Sequence, residues 1–167
     1  MKILHPVFSL ALLALAAGQL GGCGFQLRGD ATLPAEIRSV HVNAPAGLKE
    51  ELQIYLEGAG VDLASSRSGA DASINVTREF FDRRVLSVDP NTGKEREFEL
   101  AYTVDFNVVR GNGAPLMDAQ SINLLRDYVF DPASIIGKSR EEHVLQDEMR
   151  RDAAQQLLRR MQAGLSK

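Results

Sequence analysis

The most regular alternation of hydrophobic and polar positions runs from Glu97 to Val108. Phe98, Leu100, Tyr102, Val104, Phe106 and Val108 alternate with Glu97, Glu99, Ala101, Thr103, Asp105 and Asn107. Successive side chains of a strand point to opposite faces, so this period of two predicts a strand with one buried and one wet face. Asp89-Pro90-Asn91-Thr92-Gly93 precedes it and Gly111-Asn112-Gly113 follows it, both rich in residues that favour turns. The stretches beyond these turns, 72 to about 88 and 116 to 130, are strand-like with mixed alternation. Ile74 and Val76 oppose Ser73, Asn75 and Thr77, and the pattern shifts at Phe80-Phe81, where a bulge or strong twist is expected. Three long segments joined by short turns predict an antiparallel meander.

Upstream, residues 39 to 44 read as a short strand with Val40 and Val42 on one face, punctuated by Pro45 and Gly47. Leu48, Leu52, Tyr55 and Leu56 then recur at helical spacing opposite Lys49, Glu50, Glu51 and Gln53, predicting an amphipathic helix that ends near Gly58 and Gly60. Residues 64 to 70 read as a polar loop. Asp131-Pro132 stops the last strand, and Ser139 with Glu142 has the spacing of a capping box. A long helix should follow, with Leu145, Met149, Ala153, Leu157, Leu158 and Met161 as its apolar stripe and Gly164 near its end. One short strand, a helix, three strands and a helix give an α/β (α+β) two-layer sandwich of about four strands with two helices on one face. The other face of the sheet is left partly polar, to be solvated or covered by a partner.

The first residues read differently. A single cation, Lys2, precedes an apolar run from Val7 to Ala17, and small residues lead to Cys23, which is the only cysteine. That is the layout of a secretory signal peptide. The apolar run is shorter than the roughly 20 residues needed to span a bilayer, and Gly18, Gly21, Gly22 and Gly24 beyond it are poor helix formers. Leu20-Gly21-Gly22-Cys23 resembles the lipobox of bacterial lipoproteins, which implies cleavage before Cys23, diacylglycerol on its sulfur and an acyl group on its new amine. Two or three chains make a durable anchor, at about 0.8 kcal/mol per buried methylene. In such lipoproteins an aspartate after the cysteine often marks inner-membrane retention; Gly24 stands here, which favours the outer membrane. The expected organisation is a signal peptide at 1–22, a lipidated linker at 23–34 and a single domain at 35–167.

Charge and composition narrow the function classes. Loss of 22 residues leaves 145, with 18 basic against 22 acidic side chains, because Lys2 is the only charged residue removed. A general nucleic-acid binder needs an excess of Lys and Arg and is disfavoured. Aromatics at 6% and the absence of Trp argue against a sugar-stacking lectin. Of three histidines, His5 leaves with the signal, and His41 and His143 lie in a predicted strand and a predicted helix. No nucleophile elbow, phosphate loop or His-Glu-x-x-His pattern appears, and the lone thiol carries lipid, so neither enzyme, metal site nor cofactor is expected.

The opening Cys23-Gly24-Phe25-Gln26-Leu27-Arg28-Gly29 with Leu33-Pro34 resembles the start of mature members of the LptE family of lipopolysaccharide-assembly lipoproteins. Tyr102-Thr103-Val104, Arg126 with Asp131-Pro132, and Ala153-Ala154-Gln155-Gln156-Leu157 continue the resemblance. It implies a plug in the lumen of the LptD β-barrel, a role in assembling that barrel, and lipopolysaccharide binding. The rival reading is an envelope lipoprotein serving a different outer-membrane pore. In an acidic protein an anionic ligand requires a local cationic patch. Arg83, Arg84, Lys94 and Arg96 surround the Pro90-Asn91 turn, and Lys138 with Arg140 opens the last helix. Lys138 matches, by its place after Asp131-Pro132, a basic loop residue associated with ligand contact in the family. The candidate ligand residues are therefore Lys94, Arg96, Lys138 and Arg140. Any one of these cations could equally be a solubilising charge at a hairpin tip or edge. Glu79, Asp82 and Arg84 could pair along or across the strand. Phe80, Phe81, Tyr128 and Phe130 are the candidate partner contacts, because aromatics dominate interface hot spots, and they suit a core equally.

Overall fold

The computed structural model describes residues 33–129 and 138–166, of which 138–140 by their backbone alone. The predicted central strand is β4, Glu95–Arg110, and its six alternating apolar residues from Phe98 to Val108 are all buried. It lies between β3, Ala72–Val88, and β5, Pro115–Val129, antiparallel to both. β1, Ser39–Asn43, joins the sheet parallel to β3. A strand not expected from sequence, β2, Asp62–Leu63, lies parallel to β1 on its other side. The sheet therefore has five strands in the order β2-β1-β3-β4-β5. Two residues carry too short a pattern to announce a strand; β2 exists because the chain leaving the first helix meets the open edge of β1. There the Asp62 amide donates to the Arg38 carbonyl at 2.8 Å.

Both helices form where their apolar periodicity placed them. Helix α1, Ala46–Gly58, buries Leu48, Leu52 and Leu56. It stops at Gly60, whose φ of 76° favours glycine, with the Gly60 amide donating to the Glu57 carbonyl and Val61 to Leu56, closing a Schellman motif. Helix α2, Lys138–Leu165, begins one residue before Ser139, so Ser139 lies in its first turn rather than at its cap. Its partner in the expected capping box, Glu142, is turned to the sheet instead, where it accepts the Tyr128 hydroxyl at 3.0 Å. The α2 stripe of Met149, Ala153, Ala154, Leu157, Leu158 and Met161 is buried against the same sheet face as α1. Burial of these side chains, each worth roughly 1.5–3 kcal/mol for the large apolar ones, is the main stabilising term.

The alternation of β3 breaks earlier than sequence suggested. Register slips between Val76 and Arg78, at Thr77, rather than at Phe80-Phe81. Before the bulge Ala72, Ile74 and Val76 share the face of Val108 and Phe106; after it Glu79, Phe81, Arg83 and Val85 take that face, opposite Val104, Tyr102, Leu100 and Phe98. Arg78, Phe80, Asp82 and Arg84 are thereby sent to the face away from the helices.

Candidate functional site

The far end of the β3–β4 hairpin is set by Asp89. Its carboxylate accepts the amides of Asn91 and Thr92, each at 2.9 Å, and the Thr92 hydroxyl at 3.1 Å. Those backbone donors hold its pKa below the ordinary carboxylate value. Gly93 completes the turn at a φ of 68°. Lys94 and Arg96 follow, both exposed, and neither forms an ion pair among the described residues. Arg96 does help stabilise the Asp89 carboxylate through its charge.

The other two cations of the predicted patch are committed elsewhere. Arg84 faces away from the helices and pairs with Glu99 at 2.6 Å. Arg83 lies on the helix side, with its guanidinium 4.8 Å from the Phe98 ring centroid and 3.5 Å from Glu142. A hydrogen bond to Tyr128, then the nearby Glu142 and Glu95 carboxylates, hold its charge more firmly than usual. Arg83 and Tyr128 together seat the start of α2 against the hairpin, so Lys94, Arg96 and the first turn of α2 lie toward one end of the sheet. The side chains of Lys138 and Arg140 lie outside the described residues, as do Cys23, the 1–22 segment, most of the 23–34 linker and Phe130.

The described aromatic candidates divide between two faces. Phe80 stands on the open face, 43% exposed, with the Arg78 guanidinium 5.2 Å from its ring centroid. Phe81 lies on the helix side, stacked on Tyr102 at 4.1 Å, and Tyr128 stacks on Phe98 at 5.5 Å. Around Phe80 the open face is a polar lattice. Arg78 meets Asp105 at 2.8 Å, the Asn75 amide donates to Asn107, and the Thr103 hydroxyl donates to Asn123. Leu125 and Val129 are more than half exposed on it.

One polar cluster escaped the sequence reading. The Tyr102 hydroxyl donates to Glu79 Oε1 at 2.7 Å, and Arg150 from α2 approaches the same oxygen at 3.4 Å while its guanidinium lies 5.0 Å from the Phe81 ring centroid. Burial, then the bond to Glu79, pushes the Tyr102 pKa upward. Glu79 thus pairs with a residue 71 positions away rather than along its strand. Only the bulge at Thr77, which turns Glu79 toward the helices, could have signalled it. Arg150 borders a cleft of about 520 Å³ between the helices, where a Cβ on Gly47 would lie 3.0 Å from its Cδ and Nε atoms. His41 shares a hydrogen bond of 3.1 Å with Ser73 on the open face. Among the described residues no His, Cys, Asp and Glu side chains gather to hold a metal, and no helix is long and apolar enough to cross a membrane.

The family model for lipopolysaccharide assembly, LptE, matches residues 36–161. The chain belongs to the LptE family. Identity is 28% over 161 residues to the LPS-assembly lipoprotein LptE of Pectobacterium atrosepticum, covering 94% of this chain and 85% of that relative. It is 29% over 163 residues to the protein of the same name from Yersinia enterocolitica, covering 94% and 76%. Among solved structures, lipoprotein B of Nitrosomonas europaea superposes with a TM-score of 0.71 at 31% identity, over 86% of this chain and 93% of that one. Rare lipoprotein B of Shewanella oneidensis gives 0.63 at 28% identity, over 75% and 94%. LptE membership places the chain among envelope-associated lipoproteins of lipopolysaccharide assembly.

Proposed function

We propose that the protein is held at the outer membrane by lipid on Cys23, occupies the lumen of an LptD-type β-barrel and helps it assemble, and binds lipopolysaccharide as it passes to the outer leaflet. The observation that carries this reading is the LptE family match across residues 36–161. The open face of the sheet supports it: barrel lumens are lined by polar side chains, and this face offers a hydrogen-bonding surface with Phe80 at its centre. A tether supports it further, because a lipid-anchored plug meets its barrel at high effective concentration and modest contacts suffice.

Lipopolysaccharide carries phosphates, which Arg grips with paired donors and Lys meets as a point charge. Lys94 and Arg96, with Lys138 and Arg140, are the residues assigned to those groups. Phe80, Phe81, Tyr128 and Phe130 remain the proposed barrel contacts, Phe80 with the most exposed ring of the three described. This role is binding and assembly, with no catalytic step and no cofactor beyond the lipid.

The experiment is extraction of the tagged protein from outer membranes in mild detergent, with mass spectrometry of what stays bound. An LptD-type barrel in near-equal amount is the expected result; recovery of a different pore would transfer the protein to that assembly. Replacing Lys94, Arg96 and Lys138 with Glu should then weaken lipopolysaccharide binding while the barrel still copurifies. Undiminished binding would remove these residues from the site.

A further inference from the structure

β5 is the last strand of the sheet, so among the described residues one side of its backbone has no strand neighbour over 15 residues. An edge of this length is a template for another strand. Asp105 of β4, which lies opposite Ser121, turns its carbonyl toward β3, where Thr77 donates to it at 3.2 Å. In an antiparallel ladder the residue across from it then points its own amide and carbonyl outward, and so do positions two and four residues on. Ser121, Asn123 and Leu125 are these outward residues, and all three are exposed.

Two arginines occupy two of these outward acceptors, the carbonyls of Ser121 and Leu125. Arg160 of α2 donates to the Ser121 carbonyl at 2.8 Å, and its guanidinium also reaches Gln120 at 3.5 Å. Arg126 donates to the Leu125 carbonyl at 3.1 Å and is itself held by Asp152 of α2. A strand added here would need both carbonyls as acceptors, so the two guanidiniums must leave first.

We propose that Arg126 and Arg160 close the free edge of the sheet against a second copy of this chain. The second copy is the occupant the edge itself favours. In a two-fold antiparallel pairing centred on Asn123, Ile122 meets Leu124, Ser121 meets Leu125 and Gln120 meets Arg126, while Asp127 falls opposite Ala119 and Asp118 opposite Tyr128. No like charges oppose one another, so side-chain charge does not forbid the pairing and the arginines supply the block.

The test uses the full chain purified in mild detergent, with its mass read by sedimentation velocity. The native chain is expected to be monomeric, and Arg126→Ala with Arg160→Ala to double in mass as concentration rises, with slowed hydrogen exchange at 121–125. Adding Asn123→Pro, which removes an outward amide, should return that variant to a monomer. Arg160→Ala alone, which spares the tie to Asp152, serves if the double variant fails to fold, and should self-associate more weakly. A folded variant without the guard that stays monomeric, association that survives the proline, or a native chain already paired through this edge would each overturn the proposal. So would stable capture of a different protein in place of a second copy.

Discussion

Between Ala72 and Val76, β3 joins the core beneath the helices and buries Ala72 and Ile74 completely, whereas at its other end Val85, Leu86 and Val88 are 43–54% exposed. Both stretches are β-branched and apolar enough to be core, and one bulge at Thr77 separates them. The difference shows that burial in this sheet follows the reach of the helices and not the hydrophobicity of the strand. The packed half carries stability, and the projecting half is left with charges, an ordered turn and apolar side chains available to a ligand or partner.

The contrast breaks most sharply under truncation. Leu157→Ala in the packed half should lower stability by about 3 kcal/mol, because Leu157 is fully buried, while Val85→Ala should stay within about 0.5 kcal/mol. Urea unfolding midpoints would show this, and equal shifts would mean that the hairpin end is covered as well as the core. Glycines sharpen the comparison next. A Cβ on Gly111 would lie 2.3 Å from the Ala70 carbonyl oxygen and 2.9 Å from that of Arg67. Gly111→Ala should therefore destabilise by about 2–3 kcal/mol, since backbone rather than a flexible side chain must move. Gly93→Ala meets open space and only its positive φ, for about 1 kcal/mol.

The charged groups follow. Glu79→Ala leaves the buried Tyr102 hydroxyl without its acceptor and should cost about 2 kcal/mol, against about 0.5 kcal/mol for Arg84→Ala at its exposed pair. The smallest effect is in pH dependence. The Tyr102 pKa is raised above its ordinary 10.0 in the folded state, so the unfolded chain loses its proton first as pH rises. The associated stability is complete below pH 10.0 and declines above it; Tyr102→Phe should flatten that alkaline loss in thermal scans. Asp71 runs the other way. Hydrogen bonds from Ser39 and the Arg38 amide lower its pKa from 3.8, so its contribution is present above that value and disappears as pH falls through the folded value, an acid loss that Asp71→Asn should remove.

Much of the fold was legible because its signals are local. The alternation from Phe98 to Val108 and the stripe from Leu145 to Met161 each need only a period and a length, and Asp89-Pro90-Asn91-Thr92-Gly93 makes its turn from its own carboxylate and glycine. The candidate site was legible only as a set of residue types. Arg83, Arg84, Lys94 and Arg96 look equivalent along the chain, yet Arg83 and Arg84 are drawn to Glu142 and Glu99 on opposite faces. Phe80 and Phe81 are adjacent and equally aromatic, and the upstream bulge decided which faced outward.

The sequence by itself determined the class of this molecule: an α+β domain with an antiparallel meander, and the motifs that carry the LptE resemblance. These depend on neighbours within a few turns or strand pairs. Tertiary structure alone decided the strand order, the parallel β2, the Glu79–Arg150 contact and the arginines on the β5 edge. Each depends on which backbone edge or side chain lies opposite once the sheet and helices have closed. Long-range pairing is chosen by geometry and desolvation across the assembled core, and no period along a chain encodes it.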